Sequence, residues 1–462
     1  MTMQTTLLEW RPDLPRGPDP TFARIVRALE RDIDGGKLAP GARLPTHRDL
    51  AERLGVGVGT VTRAYAEAEL RGLVTATVGK GSFVAPLRSN GEGGQLIDLG
   101  RNLPPLGPAE VALRRSFAQL ARRADLTDQL DYPPAGGFTA ARRSGALWLE
   151  RTAHLRGLDP ERLICCAGAQ QAVTVAIAAL CRPGEALIAE EATFHGLKLS
   201  AAHIGVRLVP AAMDDQGITP ESLERAAAQG GARVAYLLPV QNPTARIMGA
   251  VRRQEIIEVA RRRGLILIED DLYASSSTDL GLEPLAALAP DRVAYVSGLS
   301  KSLAPGLRVG YLIAPDEEIH DRALEALRAV AFGSPALGAL VATQWIETGE
   351  AFAILDAVRA ELEVRTDMAR DILGDAIEPI VQRRSSHLWL PMNELEAERV
   401  AGHAQRAGVQ LTPPQAPFLP GVPVSGLRLC LGVPRDHATL RRGLETVRAA
   451  LSPRAAGAGN IV

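Results

Sequence analysis

Six short apolar runs, separated by helix-length stretches, follow one another between residues 162 and 315: RLICCAG, EALIAEE, ARVAYLLP, GLILIEDD, RVAYVSG and RVGYLIAP. The intervening stretches include AQQAVTVAIAALC, HGLKLSAAHIG and an arginine-rich helix over 251–263. Strands alternating with helices argue an α/β fold with a mostly parallel sheet and helices on both faces. Ligands in such sheets bind beyond the carboxyl ends of the strands, where the polar motifs of this chain collect. The helical stretch 318–373 and the strand-like HLWLP and RLCLG predict a smaller C-terminal α+β subdomain, about 335–455, within a domain spanning 97–455.

The first 85 residues follow a different pattern. TFARIVRALERDIDGG predicts a helix capped by Thr21 and stopped at Gly35-Gly36. THRDLAERLG predicts a short helix capped by Thr46 and ended by Gly55, and a third helix begins at Gly59 or Thr60. Two β-rich runs, LVTATV and SFVAP, joined by Gly79-Lys80-Gly81, read as a hairpin. Helix, helix-turn-helix, hairpin is the layout of a winged helix-turn-helix over 1–85. The polar, glycine-rich PLRSNGEGGQ then marks a linker, 86–96.

Ten Lys/Arg against seven Asp/Glu over residues 21–85 give this segment +3, in a chain whose net charge is −1. That basic excess suits a partner with phosphates. The longest apolar stretch, Ala172 to Cys181, is too short to span a bilayer. Cys165, Cys166, Cys181 and Cys430 fit no zinc spacing and read as reduced core thiols in the cytoplasm.

Lysine is scarce: 52 basic residues include only Lys37, Lys80, Lys198 and Lys301, leaving 48 arginines. A lysine retained in such a chain can serve where an amine must act as a nucleophile. Lys301, in SGLSKSLAPGLRVGY, follows a strand end. A carbonyl cofactor with a phosphate tail needs that amine, and a carboxylate against a ring nitrogen, for which Asp270 is placed. Tyr273 and Asn242 could hold a ring oxygen. The helix start Gly168-Ala169-Gln170 could take the phosphate, with Arg308 adding a bidentate contact. Phe194 is the aromatic residue available to cover a ring.

These motifs carry two resemblances. GARLPTHRDLAERLGVGVGTVTRAYAEAELRGLVTATVGKGSFV resembles the DNA-binding domain of the GntR family. The LPS-R-LA box appears as Leu44, Pro45, Thr46, Arg48, Leu50 and Ala51, the recognition-helix start as Thr60, Val61, Arg63 and Ala64, and the wing as Gly79, Gly81, Ser82, Phe83 and Val84. A recognition helix enters the major groove by its N-terminal end, so Gly57, Gly59 and Thr60 allow close approach. Arg48 and Arg63 are expected at phosphates or bases, with Lys80 reaching out from the wing.

From about 97 to 450, SK…PG-R-G, D-x-x-Y, NPT and GAQQ together resemble fold type I pyridoxal-phosphate (PLP) enzymes, the aspartate aminotransferase superfamily. The resemblance implies Lys301, Asp270 and Tyr273 as catalytic groups, with Ser300 among the cofactor contacts. It also implies Tyr132 reaching the phosphate of a partner subunit, hence a homodimer, and Arg428 gripping a substrate α-carboxylate. The chain departs from the pattern at three places: Gly298 stands where a Ser or Thr usually holds phosphate, leaving Ser297 or Ser300 to compensate, Phe194 replaces Tyr, and Ala245-Arg246 follows NPT where glycine is common.

A GntR-type domain ahead of an aminotransferase-like domain is the layout of the MocR subfamily of transcription regulators. That resemblance implies a regulator that binds double-stranded operator DNA and senses an amino compound, or PLP itself, through aldimine chemistry at Lys301. The alternative is an active amino-acid aminotransferase with an accessory DNA-binding domain.

Overall fold

The computed structural model describes residues 10–14, 19–34, 37–38, 41–71, 73–77, 81–85, 96–122, 131–331, 335–379 and 383–452. Gly79, Lys80 and nearly all of the expected linker lie outside them. By packing, the chain forms two compact units, and the division does not run simply along the sequence. One comprises Met1–Asp98, Asn393–Leu411 and Arg442–Val462, the other Leu99–Met392 and Thr412–Arg441.

In the first unit three helices, α1 (Thr21–Asp34), α2 (His47–Leu54) and α3 (Val58–Leu70), precede an antiparallel hairpin, β1 (Val74–Thr77) and β2 (Gly81–Val84). Its core is Trp10, Ile25, Leu29, Leu44, Leu50, Val61, Tyr65, Val74 and Val84, drawn from every one of these elements. Two helix starts differ from the sequence expectation. Thr21 opens α1 rather than capping it, because the N–H groups of Ala23 and Arg24 donate to Pro20 O. Helix α3 starts at Val58 with Gly57 as its cap, so no side chain satisfies its first N–H groups. Thr46 does cap α2, accepting from Asp49 N at 3.2 Å, and Gly55 closes it with φ 65°. The Tyr65 hydroxyl donates to Pro45 O (2.9 Å) and the His47 ring meets Tyr65 edge-on, which fixes α3 against the start of α2.

The same unit holds the helix Glu394–Arg406 and a parallel pairing of Val409–Gln410 with Ile97–Asp98. Arg71, at the end of α3 with its side chain 7% exposed, joins these parts. Its guanidinium lies 2.9 Å from Glu67, 3.7 Å from Glu30 on α1 and 3.6 Å from Glu398.

The second unit is built on a seven-stranded sheet: β3 (Leu163–Cys166), β4 (Ala186–Glu190), β5 (Arg207–Ala211), β6 (Val234–Leu237), β7 (Ile266–Asp270), β8 (Val293–Gly298) and β9 (Gly310–Ile313). The spatial order is β3-β9-β8-β7-β6-β4-β5. Only β9 runs against its neighbours. Alternate residues of one strand enter different cores: Leu163 and Cys165 pack in one, Ile164 and Cys166 in the other. Helices therefore cover both faces, as the apolar strands require. α4 (Ala169–Leu180) and α5 (His195–Ile204) lie on one of them, and β10 (His387–Pro391) pairs antiparallel with β11 (Gly426–Cys430). Among the described residues no helix is long and apolar enough to cross a membrane.

Candidate functional site

One edge of the sheet collects the chemistry. Asp270 ends β7 and pairs in register with Val296 of β8, whose chain leads on to Lys301. Asn242 follows β6, and Gly168 follows β3. Because β9 is reversed, its first residue, Gly310, lies beside Gly298 and Cys166, so Arg308 reaches the same edge.

Lys301 Nζ donates to Asn102 O at 2.6 Å. Burial, with the Arg428 charge adding to it, draws its amine down to about 8, and Asp270 and Cys430 oppose this. Asp270 is fully buried. Its Oδ2 accepts from the Tyr236 hydroxyl, while Oδ1 has no hydrogen-bond partner. Burial pushes its carboxyl up to about 6, against the Tyr236 hydrogen bond. Tyr273 OH accepts from Asn102 Nδ2 (2.9 Å).

At the start of α4, Gln171 N and Ala172 N donate to Gly168 O. The N–H groups of Ala169 and Gln170 are left without helical acceptors, as at any helix start. Arg308, itself in the left-handed region (φ 53°), donates to Ala167 O at 2.8 Å and packs over Gly168, where a β-carbon would stand 3.1 Å from the guanidinium. The Gln170 side chain is spent on α5, donating to Gly196 O (3.0 Å) and Ser200 Oγ (2.8 Å). Phe194, half-buried, caps α5 and meets the His195 ring edge-on.

The structure gives the Gly298 departure a reason. A β-carbon there would lie 2.9 Å from Val309 O, a backbone atom with no room to yield. Ser297 donates instead to Asp271 O (3.3 Å), which leaves Ser300, half-buried beside Lys301, as the one of the two whose hydroxyl is not spent there. At Ala245 the alanine itself is not explained: its φ of 60° is the conformation for which glycine is common.

Arg428, on β11, donates through Nη1 to Asn242 Oδ1 (2.8 Å) and through Nη2 to Gly100 O and Thr412 Oγ1 (both 3.1 Å). Its Nε is buried without a partner. Tyr132 is 78% exposed on the single chain.

These residues suit pyridoxal phosphate. A buried carboxylate oxygen without a donor is costly, about 1–3 kcal/mol, and a protonated ring nitrogen would satisfy Asp270 Oδ1. Buried Thr193 Oγ1 and Ser302 Oγ, next in sequence to Phe194 and Lys301, likewise lack partners. Sequence reasoning missed Tyr236, Asn102 and His387. Tyr236 sits inside an apolar run, and Asn102 lies 199 residues from Lys301, so no spacing signal announces either.

On the first unit, Arg48 and Gly59 are exposed and Thr60 is half-exposed. Among the described residues Arg48 has no carboxylate partner. Thr46 uses its hydroxyl as the α2 cap. The Arg63 guanidinium stacks 4.0 Å over the Phe22 ring of α1. A β-carbon at Gly59 would meet nothing within 4 Å. Arg43, unremarked in the sequence, braces the hairpin, with its Nε 3.3 Å from where a Gly81 β-carbon would be.

Residues 94–447 match aminotransferase class I and II, and residues 21–84 match the bacterial regulatory proteins of the gntR family. The chain is 29% identical to a Bacillus subtilis protein named as the uncharacterized HTH-type transcriptional regulator YdeF, over 96% of each chain. It is 26% identical to the HTH-type pyridoxine biosynthesis transcriptional regulator PdxR of Corynebacterium glutamicum, over 78% of this chain and 80% of that one. The structure of an archaeal alanine:glyoxylate aminotransferase superposes with a TM-score of 0.70 at 22% identity, over 77% of this chain and 91% of that one. This last likeness shows the fold.

Proposed function

From a chain that belongs to the aminotransferase class I and II family and carries a gntR-type domain ahead of it, we propose a PLP-dependent transcriptional regulator of the MocR type. It binds operator DNA as a homodimer in the cytoplasm and senses an amino compound or PLP. The observation that carries the regulatory reading is the start of α3. A β-carbon on Gly59 would meet nothing within 4 Å, and a glycine within a helix costs up to about 1 kcal/mol relative to alanine. No internal packing asks for Gly59, whereas close approach of a phosphate backbone does.

When bound, the cofactor supplies an aldehyde carbon open to amines and an electron-withdrawing ring. Lys301 holds it through its amine. Asp270 keeps a proton on the ring nitrogen, and Tyr273 and Asn242 face the ring oxygen. The free N–H groups of α4, Ser300 and Arg308 hold the phosphate, and Tyr132 reaches the partner's site. Arg428 takes the effector's carboxylate. That carboxylate competes with Gly100 O and Thr412 Oγ1 for the Nη2 donors, so occupancy loosens both segments. Such a response requires different effector affinities in two states.

The test is an absorbance titration of the purified protein with PLP, then with single amino acids, alongside DNA-mobility assays and the Lys301→Ala variant. Only the neutral amine captures the cofactor, so capture rises with pH through about 8, where an ordinary lysine would need a pH near 10.4. A band absent in Lys301→Ala, together with DNA affinity that changes with one amine, supports the regulator. Steady keto-acid production with DNA binding indifferent to the amine would establish the aminotransferase alternative.

A further inference from the structure

Asn102 is the most heavily used polar side chain of the pocket, and its orientation can be deduced. His387 on β10 is fully buried, and burial, with Arg428 and Lys301 nearby, draws its imidazole down to about 3, so the ring is neutral. Its Nε2 faces Gln241 O at 3.3 Å. A carbonyl only accepts, so Nε2 carries the proton and Nδ1 is bare. A bare nitrogen needs a donor, so the group 3.0 Å from it is the Asn102 amide NH2. The second amide hydrogen goes to Tyr273 OH (2.9 Å), and Asn102 Oδ1 accepts from Ser386 Oγ (2.6 Å). The main-chain oxygen of the same residue accepts from Lys301.

The chain of consequence therefore runs from Gln241 O to the imidazole, to the amide, to the phenol. Tyr273 OH already accepts one hydrogen bond, so its own proton is left to donate. Building on the cofactor reading above, we propose that Asn102, oriented by His387 and Ser386, is a positioning residue: it aims the Tyr273 hydroxyl as a donor at the ring oxygen of pyridoxal phosphate and gives the Lys301 amine its resting place. A donor aimed at an anionic oxygen stabilises the deprotonated form of the loaded site. The charged and titratable groups facing this cluster are Arg428, Asp270, Cys430, Tyr236, His195 and Lys301 itself, and all stay in place in the variants below.

The experiment is a pH titration of the visible absorbance of PLP-loaded wild type, Asn102→Asp, His387→Leu and His387→Asn, each with a melting curve. Asn102→Asp, when ionised, keeps the shape and cannot donate but adds a negative charge of its own; the uncharged His387→Leu, which removes the acceptor that orients the amide, separates the lost donor from that charge. Both midpoints rise by about one pH unit, the loss of one charge-assisted hydrogen bond. His387→Asn restores an acceptor near Nδ1 and returns the midpoint toward wild type. Unmoved midpoints, with only melting temperatures lowered, overturn the proposal. A wild type that forms no band overturns the cofactor reading itself, and this inference with it.

Discussion

Glycine means opposite things in the two units. At the start of α3, Gly59 has open space where its side chain would be. Around the pocket, a β-carbon on Gly310 would press into the Gly168 carbonyl carbon and stand 2.7 Å from Ala169 N, and one on Gly298 would press on Val309 O. The pocket glycines are demanded from inside, by strands and a helix start packed closer than a side chain allows. The glycine of α3 is explained only from outside, by a partner. A residue type thus reports function where the molecule itself has no use for it.

Three substitutions would break or sharpen this contrast. Gly310→Ala is expected to have the largest effect, because backbone must move to admit the methyl group. A loss of about 3 kcal/mol, at the upper end for overpacking, is expected in denaturant unfolding, together with loss of PLP capture. If the variant unfolds like wild type, the close packing claimed for this edge is wrong. Gly59→Ala should do the reverse in its own unit. It should stabilise α3 by up to about 1 kcal/mol while weakening operator binding in a mobility assay. Gain of stability with DNA affinity unchanged would remove the external reason for the glycine. Ala245→Gly is the smallest case, a pocket-side position where the fitting residue is missing. Relief of a left-handed alanine, about 1–2 kcal/mol, is offset by the added freedom of the unfolded chain, about 0.4–1 kcal/mol. A net gain below about 1 kcal/mol should appear as a small rise in the urea midpoint.

Groups whose chemistry depends on local order were legible in the sequence. Lys301 and Arg308 are read from one motif, Asp270 and Tyr273 from another, because each pair lies on one short stretch of chain, the first between β8 and β9 and the second at the end of β7. The sheet was legible for the same reason, its strands being apolar runs between helices. The orienting groups were not legible. Asn102 meets His387 across 285 residues and Tyr273 across 171, and neither partner stands at a spacing that a single chain displays. Nor does composition reveal that Arg63 lies over Phe22, since an arginine at a helix start suits a phosphate equally well.

Arg71 sets a limit on modularity. The winged helix looks portable, a segment that recombination could move from one chain to another. Yet its buried guanidinium is neutralised by acids from residues 30, 67 and 398, and the last of these is encoded more than 300 positions downstream. A graft carrying the first 85 residues onto a new effector domain would keep its fold signals and lose Glu398, a counter-ion of a desolvated charge. Inheritance of this DNA-binding head is therefore tied to a second, distant stretch of gene, and the two are expected to change together.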